Sequence, residues 1–296
     1  MSAFTKSSTA EEVTRGIDLR DQTILVTGVT SGIGLETMRI LALRGAHVIG
    51  TGRTLEKARS ACSTAVGRTT PIAMSLDDYT SVVVCAGSVL ALVDRLDCII
   101  CNAGVMGLSK LEQVAGVERH FAVNHLGHFL LTHRLLRRIC EAPQGRIVVV
   151  SSSSMTWASP RGIEWDNLSG ARDYSPSRAY GQSKLANALF SLGLARRLYG
   201  SRATSNSLHP GYVNTDLFRH YPRSLRGPRG VISNKASVGH GAATSCYLAT
   251  APLLSQTSGY HFSECNPIRP DGRAQEVDAA RRLWDVSATL LQPYLA

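Results

Sequence analysis

The chain has 296 residues, 44% of them hydrophobic and 18% charged, with 32 Lys and Arg against 22 Asp and Glu for a net charge of +10. That length and composition suit one large α/β domain or two small ones with a sizeable core. The basic surplus is spread along the chain without an arginine-rich helix or interleaved aromatics, which argues against nucleic-acid binding and leaves an anionic cofactor as one reason for it.

The opening stretch, "MSAFTKSSTAEEVTRGIDLRDQ", holds no apolar run, so residues 1–20 read as a polar extension with neither secretory signal nor membrane anchor. Nowhere do eighteen apolar residues run together. Seven cysteines, an odd number, favour reduced thiols in a cytoplasmic setting. Short apolar runs then alternate with longer amphipathic ones. "TILVTG" (23–28) reads as a strand and "SGIGLETMRILALRG" (31–45) as a helix ending on Gly45. "AHVIGTG" and "TTPIAMS" are the next strands, separated by the helix "TLEKARSACSTAV", and a helix follows over about 78–93. "LDCIICNAG" is a fourth strand, 110–140 a long helical region, and "GRIVVVSS" (145–152) a fifth strand. A helix over about 176–199, the strand "ATSNSLHPG" and a seventh strand at "GYHFS" (259–263) complete the series. Strands this apolar, separated by helices, imply a parallel sheet covered on both faces. With no repeat or low-complexity linker, residues 21–296 read as a single doubly wound domain with a parallel seven-stranded sheet. The segment 212–240 is rich in Arg, Gly and Pro with little periodicity, and reads as a lid or substrate loop.

"VTGVTSGIG" (26–34) joins the first strand to the first helix, with Gly28, Gly32 and Gly34 spaced G-x-x-x-G-x-G. A tight turn at Gly28, close backbone approach to a pyrophosphate at Gly32 and close helix–sheet packing at Gly34 each call for glycine. The helix start offers N–H groups and partial positive charge to the anion. At the end of the second strand, an acid suits NAD and a base NADP. "IGTGRTLEK" has no acid there, and Arg53 stands just beyond; a guanidinium pairs bidentately with a 2′-phosphate, so NADP(H) is preferred and NAD(H) stays open. A solvated arginine is the plain alternative.

Four further signatures follow in order: "CNAG" (101–104), "FAVNHLGHFLL" (121–131), "VVVSSSS" (148–154) and "YGQSK" (180–184). With the glycine turn they resemble the short-chain dehydrogenase/reductase family. The likeness continues through "LHPGYVNTDL" (208–217), "GHGAATSCYLAT" (239–250), "SGYHFSECN" (258–266) and "RRLWDVSATLL" (281–291), where it is nearest the retinol-dehydrogenase and WW-domain-oxidoreductase branch. The resemblance implies a Rossmann-fold oxidoreductase acting on a small-molecule carbonyl or alcohol. It implies Tyr180 as general acid/base, Lys184 as its charge partner and nicotinamide-ribose ligand, and Ser152 as the group orienting the carbonyl, with Ser153 the alternate. Asn124 would hold a water linking Lys184 to solvent. Cofactor contacts carried over in the same way are Gly28, Thr30, Ser31, Gly32, Ile33, Gly34, Arg53, Ser75, Leu76, Asn102, Ala103, Gly104, Tyr180, Lys184, Pro210, Gly211, Val213 and Thr215. The chemistry agrees: free tyrosine titrates near pH 10, a neighbouring cation favours its phenolate, and a spacing of four makes Tyr180 and Lys184 neighbours on one helix face.

Departures from the family pattern are Ser75 in place of an aspartate against adenine, Cys101 in place of the first asparagine of "NNAG", and the wide "ASPRGIEWDNLSG" stretch between Ser152 and Tyr180. The hydrophobic amino-terminal anchor of many retinol dehydrogenases is missing, which favours a soluble carbonyl compound over a membrane-embedded retinoid. Other readings are weaker. His120, His125, His128 and His133 lack a cysteine or carboxylate to complete a metal site. Cys98 and Cys101, three apart on a strand, point to opposite faces. No nucleophile elbow is present for a hydrolase. A non-catalytic redox-sensing regulator has no need of the Ser–Tyr–Lys set, and a sugar-nucleotide epimerase or dehydratase usually carries a larger substrate domain. Arg219, Arg223, Arg226 and Arg229 mark a basic loop that closes over an acidic substrate or is simply solvated. "LFSLGLARRL" (189–198) is apolar enough on its outer face to permit a homodimer.

Overall fold

A computed structural model describes residues 2–213 and 237–295. Thr215 and the arginines at 219, 223, 226 and 229, with most of the expected loop, lie outside the described residues. Strands β1 (Thr23–Val26), β2 (His47–Gly52), β3 (Thr69–Ala73), β4 (Cys98–Cys101), β7 (Arg146–Val150), β8 (Thr204–His209) and β9 (His261–Ser263) pair in parallel in the order β3-β2-β1-β4-β7-β8-β9. These are the seven strands expected. An eighth, β10 (Asn266–Ile268), adds antiparallel to β9 at the edge. The order reverses between β1 and β4, which opens a crevice at the carboxyl ends of these strands where such sheets bind ligands.

Alternate residues of each strand feed two cores. Cys98 and Ile100 face helices α2 (Gly32–Leu43) and α8 (Val238–Thr250); Ile99 and Cys101 face α4 (Tyr79–Leu92), α6 (Gly127–Glu141) and α7 (Pro176–Arg197). The two cysteines thus lie on opposite faces, and burial pushes both thiols up, Cys101 to about 12. Arg146 of β7 is buried as well, and its guanidinium donates to the carbonyls of Leu248 and Ala251 at the end of α8. The polar lead-in packs nonetheless: the short helix α1 (Ala10–Val13), closed by a Thr9–Glu12 capping box, buries Ala10 and Val13 against the α2–α8 layer.

The expected helical region over 110–140 needs correction. Residues 113–118 form a small hairpin, β5 (Gln113–Val114) with β6 (Val117–Glu118), turned by Ala115 and Gly116 at positive φ. Helix begins only at Arg119, where Glu118 caps the N–H groups of His120 and Phe121. A π-helical segment, Ala122–Leu126, then leads into α6. One wider turn at this place displaces the backbone around Asn124, a feature often found at functional sites.

Helix α9 (Val277–Leu295) lies across α6 and α7. Trp284 packs on Phe129 at 4.8 Å and Phe190 at 6.2 Å between ring centroids, and Arg197 lies 4.0 Å over its ring. Buried His125 meets Ser287 Oγ at 2.8 Å. The outer face of α7, which the sequence leaves open to a second subunit, is therefore covered by the chain's own helix.

Candidate active site

The turn after β1 is shaped by what glycine permits. Gly28 and Gly32 have φ of +72° and +59°, the left-handed region that side chains disfavour. A Cβ on Gly34 would lie 2.2 Å from the Gly28 carbonyl oxygen and 2.4 Å from Asn102 Nδ2, so the first turn of α2 sits directly against the loop. Ser31, the N-cap, makes no side-chain cap hydrogen bond. The first-turn N–H groups are not consumed by that hydroxyl, and the helix start is suited to an anion. Asn102 Nδ2 donates to the Thr27 carbonyl at 2.8 Å, and the amides of Asn102 and Ala103 both donate to Thr27 Oγ1. These bonds tie the "CNAG" segment to the glycine turn.

Around this crevice the structure gathers the expected residues. Thr30 stands against Gly52, where a Cβ would come within 2.7 Å of its methyl group, and exposed Arg53 follows β2 directly. Ile33 and Val213 meet over Gly241, whose absent Cβ would lie within 3.0 Å of both. Pro210 and Gly211, the latter at φ +82°, carry the chain off β8. Ser75, in the place of an aspartate, donates to the Asp77 carboxylate at 2.5 Å; Arg119 pairs with that carboxylate at 2.8 Å. Asp77 brings back an acid two residues on, and the Ser75 and Arg119 bonds help to hold it below the usual carboxylate range against the opposing effect of burial. Leu76 packs on Gly127, where a Cβ would collide with it at 2.7 Å.

Deeper in, Tyr180 and Lys184 are 4% and 5% exposed, with Lys184 Nζ 5.6 Å from the tyrosine ring centroid. Lys184 Nζ donates to the Val150 carbonyl at 3.2 Å, and burial lowers its pKa to about 8. Asn124 Oδ1 accepts from Val105 N, and its Nδ2 donates to the Val105 carbonyl and to Ser183 Oγ at 2.9 Å. Ser183 in turn donates to the Tyr180 carbonyl. Gly104 closes the group: its missing Cβ would stand 2.9 Å from Asn124 Oδ1 and 3.9 Å from Lys184 Nζ.

Ser152 lies two residues beyond the end of β7 and caps a 3₁₀ turn, Ser153–Trp157, accepting from Ser154 N at 3.1 Å. Ser153 N donates to His209 Nδ1, and Ser153 Oγ lies 3.2 Å from Tyr212 Oη. His209 accepts here because burial pushes its pKa down to about 4 and keeps it neutral. Trp157, 44% exposed, tilts against the Tyr180 ring at 6.4 Å. Arg273 donates to the carbonyls of Thr156, Ala158 and Ser159 and pairs with Asp271. Gly181 permits this loop to press on α7, since a Cβ would meet Ala158 N at 2.7 Å.

A family model described as short chain dehydrogenase matches residues 22–164. Short-chain dehydrogenase TIC 32 A, chloroplastic, of Brassica napus is 38% identical over 98% of this chain and 95% of its own length. The chain belongs to the short-chain dehydrogenase/reductase family. Human retinol dehydrogenase 11 is 40% identical over 94% of this chain and 88% of that one. The crystal structure of a putative uncharacterized protein from Mycobacterium paratuberculosis superposes with a TM-score of 0.77 at 32% identity, covering 94% and 96%.

This short-chain dehydrogenase is an NAD(P)-dependent oxidoreductase of the retinol-dehydrogenase-like branch. A dinucleotide fits the crevice: the glycine cradle has no side chain where a pyrophosphate would lie, and the α2 N-terminus faces it. Sequence reading of the dehydrogenase missed three groups that organise the centre. Ser183 lay in plain sight within "YGQSK", three residues from Tyr180 on the same face. Thr27 was read only as part of a strand. His128 was weighed solely as a metal ligand, whereas it bonds Thr27 Oγ1 and the Asn124 carbonyl. Among the described residues, no three His, Cys, Asp or Glu are grouped to hold a metal ion, and no helix is long and apolar enough to cross a membrane.

Proposed function

We propose that this dehydrogenase is an NADPH-preferring carbonyl reductase that runs in reverse as an alcohol dehydrogenase on a small-molecule substrate. The observation that carries the reading is the buried Tyr180–Lys184 pair at the carboxyl edge of the sheet, beside the glycine turn. Bound cofactor would supply the hydride. Tyr180 Oη gives its proton to the carbonyl oxygen in reduction and takes it back in oxidation. The Lys184 ammonium stabilises the phenolate left behind, an effect strengthened by exclusion of water from the site. Ser152 Oγ holds the carbonyl oxygen; Ser153 is the alternate. Asn124, bonded through Ser183 to the Tyr180 backbone, supports proton supply to Lys184. The phosphate contacts belong to Gly28, Thr30, Ser31, Gly32, Ile33 and Gly34, with Leu76, Asn102, Ala103, Gly104, Pro210, Gly211, Val213 and Thr215 completing the cofactor set.

Arg53 favours a 2′-phosphate because no acid stands at the end of β2 to repel one. The exposed rings of Trp157 and Tyr212 at the site mouth favour a carbonyl compound with apolar surface. Seven free cysteines suit a reducing cytoplasmic compartment. A homodimer of this chain would use a surface other than the covered face of α7.

The test is a panel of carbonyls and alcohols followed by NADPH absorbance. Tyr180→Phe is expected to keep NADPH affinity and abolish turnover; retained turnover overturns the mechanism. Arg53→Ala is expected to weaken NADPH binding far more than NADH binding, and equal losses overturn the preference.

A further inference from the structure

Buried His128 takes no part in the proton transfer or the cofactor contacts proposed above. His128, 1% exposed, is the second residue of α6 and follows the π-helical segment. Its Nδ1 lies 2.9 Å from the backbone carbonyl of Asn124, and its Nε2 lies 2.9 Å from Thr27 Oγ1. A carbonyl can only accept, so Nδ1 carries the proton. Burial lowers the His128 pKa to about 4, and the nearby Lys184 charge pushes the same way, so the ring is neutral and Nε2 must accept. Thr27 then donates its single hydroxyl proton to Nε2 while its lone pairs take the amides of Asn102 and Ala103 at 2.9 and 3.0 Å. The Ile100 carbonyl, 3.4 Å from Thr27 Oγ1, is the more distant acceptor for that proton.

The chain of bonds continues past His128. Asn124 donates from Nδ2 to Ser183 Oγ, and Ser183 donates to the Tyr180 carbonyl at 2.7 Å. From Thr27, the residue before Gly28, to the helix bearing Tyr180 and Lys184, one proton each from Thr27, His128, Asn124 and Ser183 points the same way, while Asn124 Nδ2 also donates to the Val105 carbonyl. Hydrogen bonds aligned head to tail polarise one another in a low-dielectric interior. His128 joins the half of this chain facing the cofactor turn to the half facing the proton donor, alongside the Asn102–Val105 segment that meets the Asn124 side chain.

We propose that His128 is a positioning residue that locks the Asn124 carbonyl to the Thr27 hydroxyl, so that the cofactor turn and the Tyr180–Lys184 pair keep a single register. It touches neither cofactor nor substrate and acts through Thr27 and Asn124. The proposal rests on the reading of Tyr180 as the proton donor. A loose second contact would leave the two halves to drift by fractions of an ångström, and rates are sensitive to misplacement on that scale.

Two amide variants separate the two arms. The amide nitrogen of His128→Asn stands near the Nδ1 place and retains the donor to Asn124; the amide of His128→Gln reaches the Nε2 place and retains an acceptor for Thr27. His128→Asn is expected to raise the KM for NADPH about tenfold and hold kcat within about twofold. His128→Gln is expected to lower kcat about tenfold and hold the cofactor KM, and His128→Leu loses both. Asn and Gln variants that melt earlier but keep wild-type kcat and KM, or that each lose kcat and KM alike, overturn the proposal. Nitrogen-15 NMR of the wild-type chain is independent of turnover: protonated Nδ1 and bare Nε2 are expected, and the opposite tautomer overturns the proposal. Turnover that survives Tyr180→Phe would instead refute the proton-donor reading while leaving the tautomer result to stand.

Discussion

The Gly34→Ala substitution separates packing against the turn from helix propensity, because the two predict opposite signs. In an exposed helix interior, replacing glycine with alanine stabilises by about 1 kcal/mol. At Gly34 the added methyl would stand 2.2 Å from the Gly28 carbonyl oxygen and 2.4 Å from Asn102 Nδ2. An ordinary carbon–oxygen contact is about 3.3 Å, so the start of α2 must retreat by roughly 1 Å. Neither neighbour can give easily: one is backbone, and the other is an amide held by the Thr27 carbonyl. Overpacking of this kind costs about 1–3 kcal/mol. The retreat also withdraws first-turn N–H groups from the phosphates, where one charge-assisted hydrogen bond is worth about 1.5–3 kcal/mol. Gly34→Ala is therefore expected to lower the Tm by several degrees and raise the NADPH Kd by about 10- to 100-fold. Thermal melting of the free protein and titration of nicotinamide fluorescence measure the two effects. Gly87→Ala is the control: Gly87 is exposed on α4 with nothing within 4 Å of the missing Cβ, so this change is expected to raise the Tm slightly and leave Kd unchanged. A Gly34→Ala protein that is more stable than wild type and binds NADPH normally would refute the packing argument.

Three further outcomes follow from buried charge. Burial lowers His125 to about 3 and His128, His209 and His261 to about 4, so the unfolded chain takes up protons below pH 6.5 that the folded chain refuses. Stability should fall by up to about 5 kcal/mol per pH unit between about pH 6 and 4, and urea unfolding at pH 7, 6 and 5 that shows no loss would contradict it. Lys184, lowered to about 8, acts in the same sense at higher pH: the unfolded chain holds its proton up to 10.5, so its burial costs most below pH 8 and the cost fades between 8 and 10.5. Lys184→Met should thus be the more stable protein at pH 7, with the gap closing as pH rises, while turnover is lost. Arg146→Met strands the Leu248 and Ala251 carbonyls and should cost about 2–4 kcal/mol, read as a Tm lower by about 5–10 °C with NADPH affinity intact.

Fold and site were legible in the sequence to different depths. The runs at β1, β4, β7 and β8 are apolar or small because both of their faces are buried, so seven parallel strands could be read directly. β10 could not: "NPI" is three residues with an internal proline, and it exists only because β9 offers an edge. The hairpin over 113–118 was hidden inside a helical pattern, since two-residue strands leave no periodicity and the turn at Ala115 lacks an obvious signal. The glycine turn and the four-residue Tyr180–Lys184 spacing are readable from the residues, while Asn124 enters only through the family resemblance. His128 was not readable, because its partners, the Thr27 hydroxyl and the Asn124 backbone carbonyl, are supplied by tertiary structure and by one turn of π-helix. Ser75 pointed to a missing acid, and only the fold reveals that Asp77 stands within reach.

The placement of α9 has a consequence for the order in which the molecule can be finished. The wall that receives Ser287 and Trp284 is built from His125, Phe129 and Phe190, synthesised long before them. At about 5–20 residues per second, the 162 residues separating His125 from Ser287 take roughly 8–30 s to emerge. During that interval the nascent chain carries an uncovered aromatic surface directly under the segment that holds Asn124. Helix α9 is thus the element that seals it, and a chain cut off before Val277 would carry a sheet with its cofactor turn complete and this flank still open to aggregation.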